Sequence, residues 1–146
     1  MEVSIFVRTQ KDLPYPQFIN LHEFLKQQHD VISLHVPLTP ETNFMLKDDE
    51  FALMKKGVII INTARPQLIC VKAMTKALAR EIVRGFAIDG DYDLVAPFTR
   101  IDKKNKGIIT HHIADCTIEA QANITRQALV QMVAFFEKNE VINRVI

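Results

Sequence analysis

A run of four consecutive β-branched residues, Val58–Ile61, constrains the fold of this chain more than any other stretch. It follows Gly57 and is followed by residues 62–65, which are small or polar and end in an arginine. An apolar run of this length between turn residues predicts a strand buried on both faces, as in a parallel sheet between helices. Ligands of such sheets bind beyond the carboxyl ends of the strands, so residues 62–65 are the first candidates for a binding site. The arginine could hold a carboxylate through two hydrogen bonds, or it could be an ordinary surface residue.

The bulk composition indicates an ordinary globular chain with one domain. It has 146 residues, of which 48% are hydrophobic and 24% charged, and its net charge of +1 gives no reason to expect nucleic acid or a membrane as a partner. No apolar run approaches the length of a transmembrane helix, and no signal peptide is recognised. The two cysteines, Cys70 and Cys116, lack the spacing of a metal site. We therefore expect buried thiols, a cytoplasmic location and no metal.

Strand-like and helix-like stretches alternate along the chain. Short β-branched segments predict strands, and segments with apolar residues every three or four positions predict helices. The expected strands are residues 3–8, 30–36, 57–62, 85–89 and 107–111, the expected helices are 20–27, 47–56, 66–80 and 117–138, and residues 90–106 are expected to form an irregular loop. This alternation favours βαβ units, and hence an α/β fold with a mostly parallel sheet of about five strands.

Several segments, taken in order, resemble one protein family. They are SLHVPLTPET at 33–42, ALMKKGVIIINTAR at 52–65, GFAID at 85–89 and HHIADCTIEAQ at 111–121. They are similar to successive segments of the D-isomer-specific 2-hydroxyacid dehydrogenases, a group that includes phosphoglycerate, glycerate and hydroxypyruvate enzymes. The resemblance runs through nearly the whole chain. It implies that residues 1–146 form a single, truncated Rossmann-type three-layer domain that binds a nucleotide, without the family's separate substrate domain.

The resemblance also implies a chemistry and two catalytic residues. Family members interconvert a 2-hydroxy acid and a 2-oxo acid with a nicotinamide cofactor, NAD or NADP. Their arginine, which holds the substrate carboxylate and carbonyl, matches Arg65. Their histidine, which accepts or donates the hydroxyl proton, matches His112 in the segment HHIA. A histidine exposed at a strand end is the alternative for His112, while His111, where the family has proline, is interpreted as incidental.

Cofactor contacts follow from the same matches. The family's loop beside the cofactor is matched by Pro37, Leu38 and Thr39. Its backbone near the nicotinamide is matched by Thr63 and Ala64, and its residue that binds the carboxamide is matched by Asp89. An ordinary carboxylate at a strand end is the alternative for Asp89. Arg8 ends the first strand, where the family often has an aspartate that binds the ribose of NAD. An arginine there would favour the extra phosphate of NADP, unless it is simply a solvated edge residue.

Three departures from the family bear on activity. The only glycines are Gly57, Gly85, Gly90 and Gly107, so the chain contains no GxGxxG phosphate loop, and cofactor binding is expected to be weak without it. The substrate domain, which would close the cleft against water, is expected to be missing. The family's acidic catalytic residue falls at Leu94 or Ala96, depending on the alignment. In addition, Pro66 replaces a glycine and should favour an extended backbone at Arg65.

The missing phosphate loop also implies a missing strand. In the family this strand lies between those matched here by residues 3–8 and 57–62. We therefore expect either a rearranged sheet that brings these two strands together, or a homodimer or partner chain that covers their exposed edges.

Two functions follow as hypotheses. The first is an NAD(P)-dependent 2-hydroxyacid dehydrogenase that is inactive as an isolated chain and active only when a partner chain supplies the missing pieces. The alternative is a catalytically silent module for oligomerisation or interaction, or a relic of a dehydrogenase gene.

Overall fold

The structure is a computed structural model that describes residues 2–102, 104, 106–113 and 116–141. The chain divides into two compact units, Met1–His111 and His112–Ile146. The first unit contains the strands β1 (Ile5–Phe6), β2 (Gln17–Phe18), β3 (Val31–Leu34), β4 (Val58–Asn62), β5 (Val83–Asp89) and β6 (Gly107–Thr110) and the helices α1 (Leu21–Leu25), α2 (Asp48–Leu53), α3 (Val71–Ala79) and α4 (Tyr92–Ile101), with a short 3₁₀ helix at Pro66–Leu68. The second unit contains helix α5 (Ile118–Lys138).

The main sheet has four parallel strands in the order β3-β4-β5-β6. The β-branched run forms β4, which pairs with β3 on one side and with β5 on the other, so that Ile60 lies beside both Ile32 and Phe86. Strands joined in this parallel sense need helical crossovers, and α2, α3 and α4 lie between successive strands of this sheet along the chain. The α/β class and the parallel sheet expected from the sequence are confirmed.

The core lies on one face of this sheet. Val58 and Ile60 of β4 are fully buried, and the buried residues of the helices, such as Phe51, Met74 and Phe98, join them in one cluster. On the opposite face, the alternate residues of β4 are only half-buried, and Val31 of β3 is exposed. β4 therefore has one fully buried and one half-buried face, because successive side chains of a strand point to opposite sides. The expectation of a strand buried on both faces is wrong.

The remaining two strands form a separate sheet. β1 and β2 pair in parallel, with Ile5 beside Gln17 and Phe6 beside Phe18, and neither pairs with the four-stranded sheet. The expectation of a rearranged sheet that joins residues 3–8 to 57–62 is therefore wrong. The expected position of the gap is also wrong. The edge of β4 that was expected to be exposed pairs with β3, so the gap lies between β1 and β3.

Two further expectations about local structure need correction. Residues 90–106 were expected to be irregular, but α4 occupies Tyr92–Ile101 because Val95 and Phe98 fall on one side of it and are buried in the core. Pro97 removes one backbone donor, the one that would bond the carbonyl of Asp93, and Asp93 is exposed to water.

The helix expected over residues 66–80 is interrupted. A 3₁₀ turn covers Pro66–Leu68, and α3 begins only at Val71, after Ile69 and Cys70. The interruption has a tertiary cause, since the backbone N–H of Cys70 donates to the carbonyl of Leu46, 3.0 Å away, and Ile69 forms a parallel bridge with Leu46. The cysteines also differ from expectation, because Cys70 is only half-buried and Cys116 is exposed.

Candidate functional site at the carboxyl ends of the sheet

The parallel register brings the predicted site residues of the first unit to one edge of the sheet. Leu34, the last residue of β3, lies beside Asn62, the last of β4, and Asn62 lies beside Ile88 of β5. The segments that leave these strands, which begin at residues 35, 63 and 90, therefore begin side by side. An open parallel sheet binds its ligands at this edge, so the fold places Pro37, Leu38, Thr39, Thr63, Ala64, Arg65 and Asp89 where a ligand site is expected.

Asn62 shapes the turn that carries Arg65. Its side chain is completely buried, accepts a hydrogen bond from the backbone N–H of Ala64 at 3.1 Å and donates to the carbonyl of Arg65 at 2.8 Å. A buried amide with both ends satisfied fixes the direction of the chain after β4. Thr63 and Arg65 are exposed on this turn, and Ala64 is half-buried.

The guanidinium of Arg65 lies over its own turn. Its Nη1 donates to the carbonyl of Ala64 at 2.8 Å, and the side chain as a whole remains exposed. The backbone of Arg65 is extended, with φ of −142° and ψ of 129°, which confirms the bias expected from the proline that follows. An exposed guanidinium retains several donors and can bind a carboxylate with two parallel hydrogen bonds.

Pro66 fixes this turn against the end of β5. A Cβ atom added to Gly90 would lie 2.4 Å from Cγ and 2.8 Å from Cδ of Pro66. Only a glycine admits such a close approach, and Pro66 itself is buried. Pro66 therefore couples the turn of Arg65 to Gly90, which follows the end of β5.

Asp89 lies at the end of β5 with only 9% of its surface exposed. Its Oδ1 accepts a hydrogen bond of 2.6 Å from the hydroxyl of Thr110, the last residue of β6. This bond joins the ends of two neighbouring strands that are in register at Asp89 and Thr110. A carboxylate held in this way is oriented by the sheet rather than by a mobile loop.

A second turn at this edge follows β3. The hydroxyl of Thr42 donates to the carbonyl of Pro37 at 2.7 Å, and the backbone N–H of Thr39 donates to that hydroxyl at 2.7 Å. Pro37 and Leu38 are exposed on this turn and Thr39 is half-buried. The turn is therefore held by its own hydroxyls and presents Pro37 and Leu38 outward.

Arg8 is exposed after β1 and lies near the carboxylate of Glu41. The hydroxyl of Thr39, hydrogen bonds within the backbone and the charge of Arg8 hold the pKa of Glu41 below its usual value, so Glu41 is ionised at neutral pH.

His112 belongs to the second unit and is exposed. Its backbone has a φ of +55°, in the left-handed region, which is uncommon for residues other than glycine although histidine is among those enriched there.

No carboxylate takes the place expected for the family's acidic catalytic residue. Leu94 and Ala96 both fall in α4, where each is half-buried. Asp91 and Asp93 lie at the start of the same helix and are exposed. Within the part of the chain that the structure describes, no three His, Cys, Asp or Glu side chains are grouped so as to hold a metal ion.

Thr110 and Gly90 were not identified from the sequence, and Asn62, although it lies in the candidate segment 62–65, was not assigned its role in holding the turn. Asn62 had a signal, because a polar residue that ends a buried strand must find partners inside the protein. The roles of Thr110 and Gly90 depend on strand register and on a contact between segments distant in sequence, which one sequence does not reveal.

The sheet is open and parallel, and its strand ends present an arginine and a buried aspartate. This architecture is typical of a nucleotide-binding α/β domain. A family model described as "D-isomer specific 2-hydroxyacid dehydrogenase, NAD binding domain" matches residues 1–114. The chain belongs to this family. Among the described residues, no helix is both long and apolar enough to cross a membrane.

Named relatives agree with the family assignment. A glyoxylate reductase of Thermofilum pendens is 32% identical over 123 residues, which cover 84% of this chain and 36% of the relative. The 2-hydroxyacid dehydrogenase homolog 2 of Schizosaccharomyces pombe is 36% identical over 134 residues, covering 82% and 40% of the two chains. The D-lactate dehydrogenase of Aquifex aeolicus, solved in complex with NAD and lactic acid, superposes with a TM-score of 0.73 at 29% identity and covers 94% of this chain and 47% of that one. The chain thus spans less than half the length of these three relatives.

Proposed function

We propose that this chain is related in function to NAD(P)-dependent 2-hydroxyacid oxidoreductases but is inactive when isolated. The observation that supports the relationship is the grouping of Arg65, Asp89 and the Pro37–Thr39 turn at the carboxyl edge of a parallel sheet, in a chain of this family. A bound nicotinamide would accept or supply hydride. The substrate class is a small 2-hydroxy or 2-oxo acid.

Each residue has a role in this proposal. Arg65 holds the substrate carboxylate by paired hydrogen bonds, and His112 takes the hydroxyl proton on oxidation and returns it on reduction. Asp89, oriented by Thr110, receives the carboxamide of the cofactor. Thr63 and Ala64 contribute backbone beside the nicotinamide, and Pro37, Leu38 and Thr39 contact the adjacent part of the cofactor.

Inactivity follows from what these residues lack. Leu94 and Ala96 cannot hold a histidine or raise its pKa as a carboxylate does, and general acid–base assistance is worth roughly 10²–10⁴-fold in rate. Without a GxGxxG segment, the pyrophosphate of the cofactor has no glycine loop to bind, so its affinity is reduced. Arg8 contributes no clear choice between NAD and NADP.

Calorimetric titration with NADH and with NADPH, first alone and then with glyoxylate, tests the proposal. We expect weak cofactor binding, no measurable turnover and a further loss of binding in Asp89→Asn. Arg65→Ala should abolish any effect of glyoxylate, whereas Arg84→Ala, which removes an exposed arginine of β5, should not. Steady turnover by the purified chain would contradict inactivity, and no heat at millimolar cofactor would contradict nucleotide binding.

A second candidate is an oligomerising or interaction module, and the surface of α5 favours it. Leu129, Met132, Val133 and Phe136 are all at least half exposed, with Phe136 at 77%. A group of exposed apolar side chains on one helix is more typical of an interaction surface than of a helix that faces only solvent. Sedimentation should show a homodimer that Phe136→Glu dissociates and that Gln131→Glu leaves intact; a wild-type chain that stays monomeric at all concentrations excludes this candidate.

We further propose that residues 1–146 act as one incomplete nucleotide-binding domain in the cytoplasm. The family match over residues 1–114 supports the domain assignment. Limited proteolysis that released two stably folded fragments by cleavage near His112 would contradict a single domain, and recovery of the chain in a membrane fraction would contradict the location.

A further inference from the structure

A cavity of about 430 Å³ lies between the last turns of α3 and α4 and the residues that lead into β6. Each of these helices begins after the carboxyl end of one strand and ends before the amino end of the next. Their last turns therefore lie at the amino edge of the sheet, because the strands are parallel. The cavity is thus on the side of the sheet opposite to Arg65 and Asp89.

One part of the cavity lining is apolar. Leu78 and Ala79 end α3, and Ile101 is the last residue of α4. Leu78 and Ile101 pack against the core but are only half-buried, and Ala79 is exposed. The volume and this lining suit the apolar body of a small organic molecule.

Another part of the lining is basic. Arg100, Lys104 and Lys106 border the cavity, with Asp102 as the carboxylate among them. Among the residues that the structure describes, no carboxylate forms an ion pair with any of these three cations. A chain whose net charge is only +1 therefore collects three cations around one cavity.

Asp102 holds the loop that carries two of these cations. Its Oδ1 accepts a hydrogen bond from the backbone N–H of Lys106 at 2.7 Å, and its Oδ2 accepts one from the N–H of Gly107 at 2.9 Å. The carboxyl ends of α3 and α4 each add a partial charge of about −0.5. Together with Asp102 these ends offset about two of the three cations, so a positive potential remains at the cavity.

We propose that this cavity binds a small organic anion that has a hydrocarbon body. The acidic head group, a carboxylate or a phosphate ester, accepts hydrogen bonds from the basic side chains. The hydrocarbon body packs on the apolar lining, and its burial supplies a part of the affinity that salt does not screen. This ligand differs from the short 2-oxo acids proposed for the carboxyl edge, and the inference does not rest on the proposed function.

Octyl phosphate and octanoate are suitable probes, each kept below the concentration at which it forms micelles. Amide chemical shifts of the isotopically labelled chain locate the binding, and we expect them to change at Ala79, Ile101 and Gly107. Octanol has the body without the charge, and inorganic phosphate has the charge without the body. Each should bind roughly tenfold more weakly than octyl phosphate, or less. The tighter of the two probes identifies the head group.

A charge reversal in the protein completes the test. Lys104→Glu changes an exposed side chain of the cavity and should weaken binding of both probes by roughly tenfold or more. Lys26→Glu is the matched control, because it makes the same change in net charge at an exposed residue after α1, away from the cavity. It should bind both probes like the wild type.

The outcomes separate the possible ligands. Failure of both probes to bind, or octanol binding as tightly as octyl phosphate, would overturn the proposal, as would equal binding by Lys104→Glu and the wild type. Shift changes confined to α5 or to the turn of Arg65 would also overturn it, because the anion would then occupy another surface. A hexaglutamate peptide that binds more tightly than octyl phosphate would overturn it in favour of an acidic segment of a protein. The wild-type shifts keep the test decisive if Lys104→Glu fails to fold.

Discussion

Replacing Asn62 with alanine removes the side chain that holds the turn between β4 and Arg65. The lost interactions are the bond from the N–H of Ala64 at 3.1 Å and the bond to the carbonyl of Arg65 at 2.8 Å. At about 0.5–1.5 kcal/mol net for each hydrogen bond, the sum is about 1–3 kcal/mol. Asn62 is fully buried, so water cannot reach its position freely, and we expect a loss of about 2 kcal/mol in the free energy of unfolding.

Urea unfolding followed by circular dichroism measures this loss. The urea concentration at the midpoint should fall, while the slope of the free energy of unfolding against urea concentration stays unchanged, because the surface exposed on unfolding is nearly the same. Thr63→Ala, one residue further along the same turn but exposed, is the matched control and should change stability by less than about 0.5 kcal/mol. If Asn62→Ala were no more destabilising than Thr63→Ala, the turn would not depend on this amide and the reasoning would be refuted.

Three other predictions address the packing and the pH dependence. Gly90→Ala should cost about 1–3 kcal/mol in urea unfolding, because the new Cβ meets the ring of Pro66; an unchanged midpoint would show that the two segments can separate freely. Ile60→Ala, in the fully buried centre of β4, should cost about 2–5 kcal/mol in the same assay, and a smaller loss would place Ile60 outside the tightly packed core. Burial raises the pKa of Glu50, but hydrogen bonds from His22 and the backbone outweigh it and hold this pKa below 4.5. The ionised form therefore stabilises the fold above that pH, so the stability advantage of the wild type over Glu50→Gln should shrink as the pH falls below 4.5, and an advantage that is constant down to pH 2 would contradict it.

Elements with a strong local pattern were predictable. The run Val58–Ile61 forms β4 within one residue of its expected limits, and the α5 helix begins after Thr117, whose side chain accepts from the N–H of Ala120 at 3.1 Å as a capping residue should. β2 was not predicted, because two residues are too few to establish a period. α4 was missed because Pro97 and the acidic residues near its start are typical of loops, and only burial of Val95 and Phe98 outweighs them.

The candidate site divides in the same way. Arg65 was named because it follows a recognisable strand, and Asp89 because it matches the residue that binds the carboxamide in the resembling family. The register of β4 and β5 places the ends of both strands at one edge of the sheet. Their catalytic and cofactor-binding roles stay predictions. Asn62 holds the turn of Arg65 through bonds to residues two and three positions away. Thr110 orients Asp89 only because β5 and β6 lie side by side, and this is a property of the assembled sheet.

By itself, the sequence determined the class of the fold, the position of the central strand and the edge at which polar residues collect, because these follow from periodicity and from the conformations that Gly, Pro and β-branched residues allow. Only the tertiary structure decided that the sheet divides between β1 and β3, that α4 forms, and that Pro66 packs against Gly90. Those outcomes depend on contacts between residues distant along the chain, where burial of apolar surface outweighs local preference.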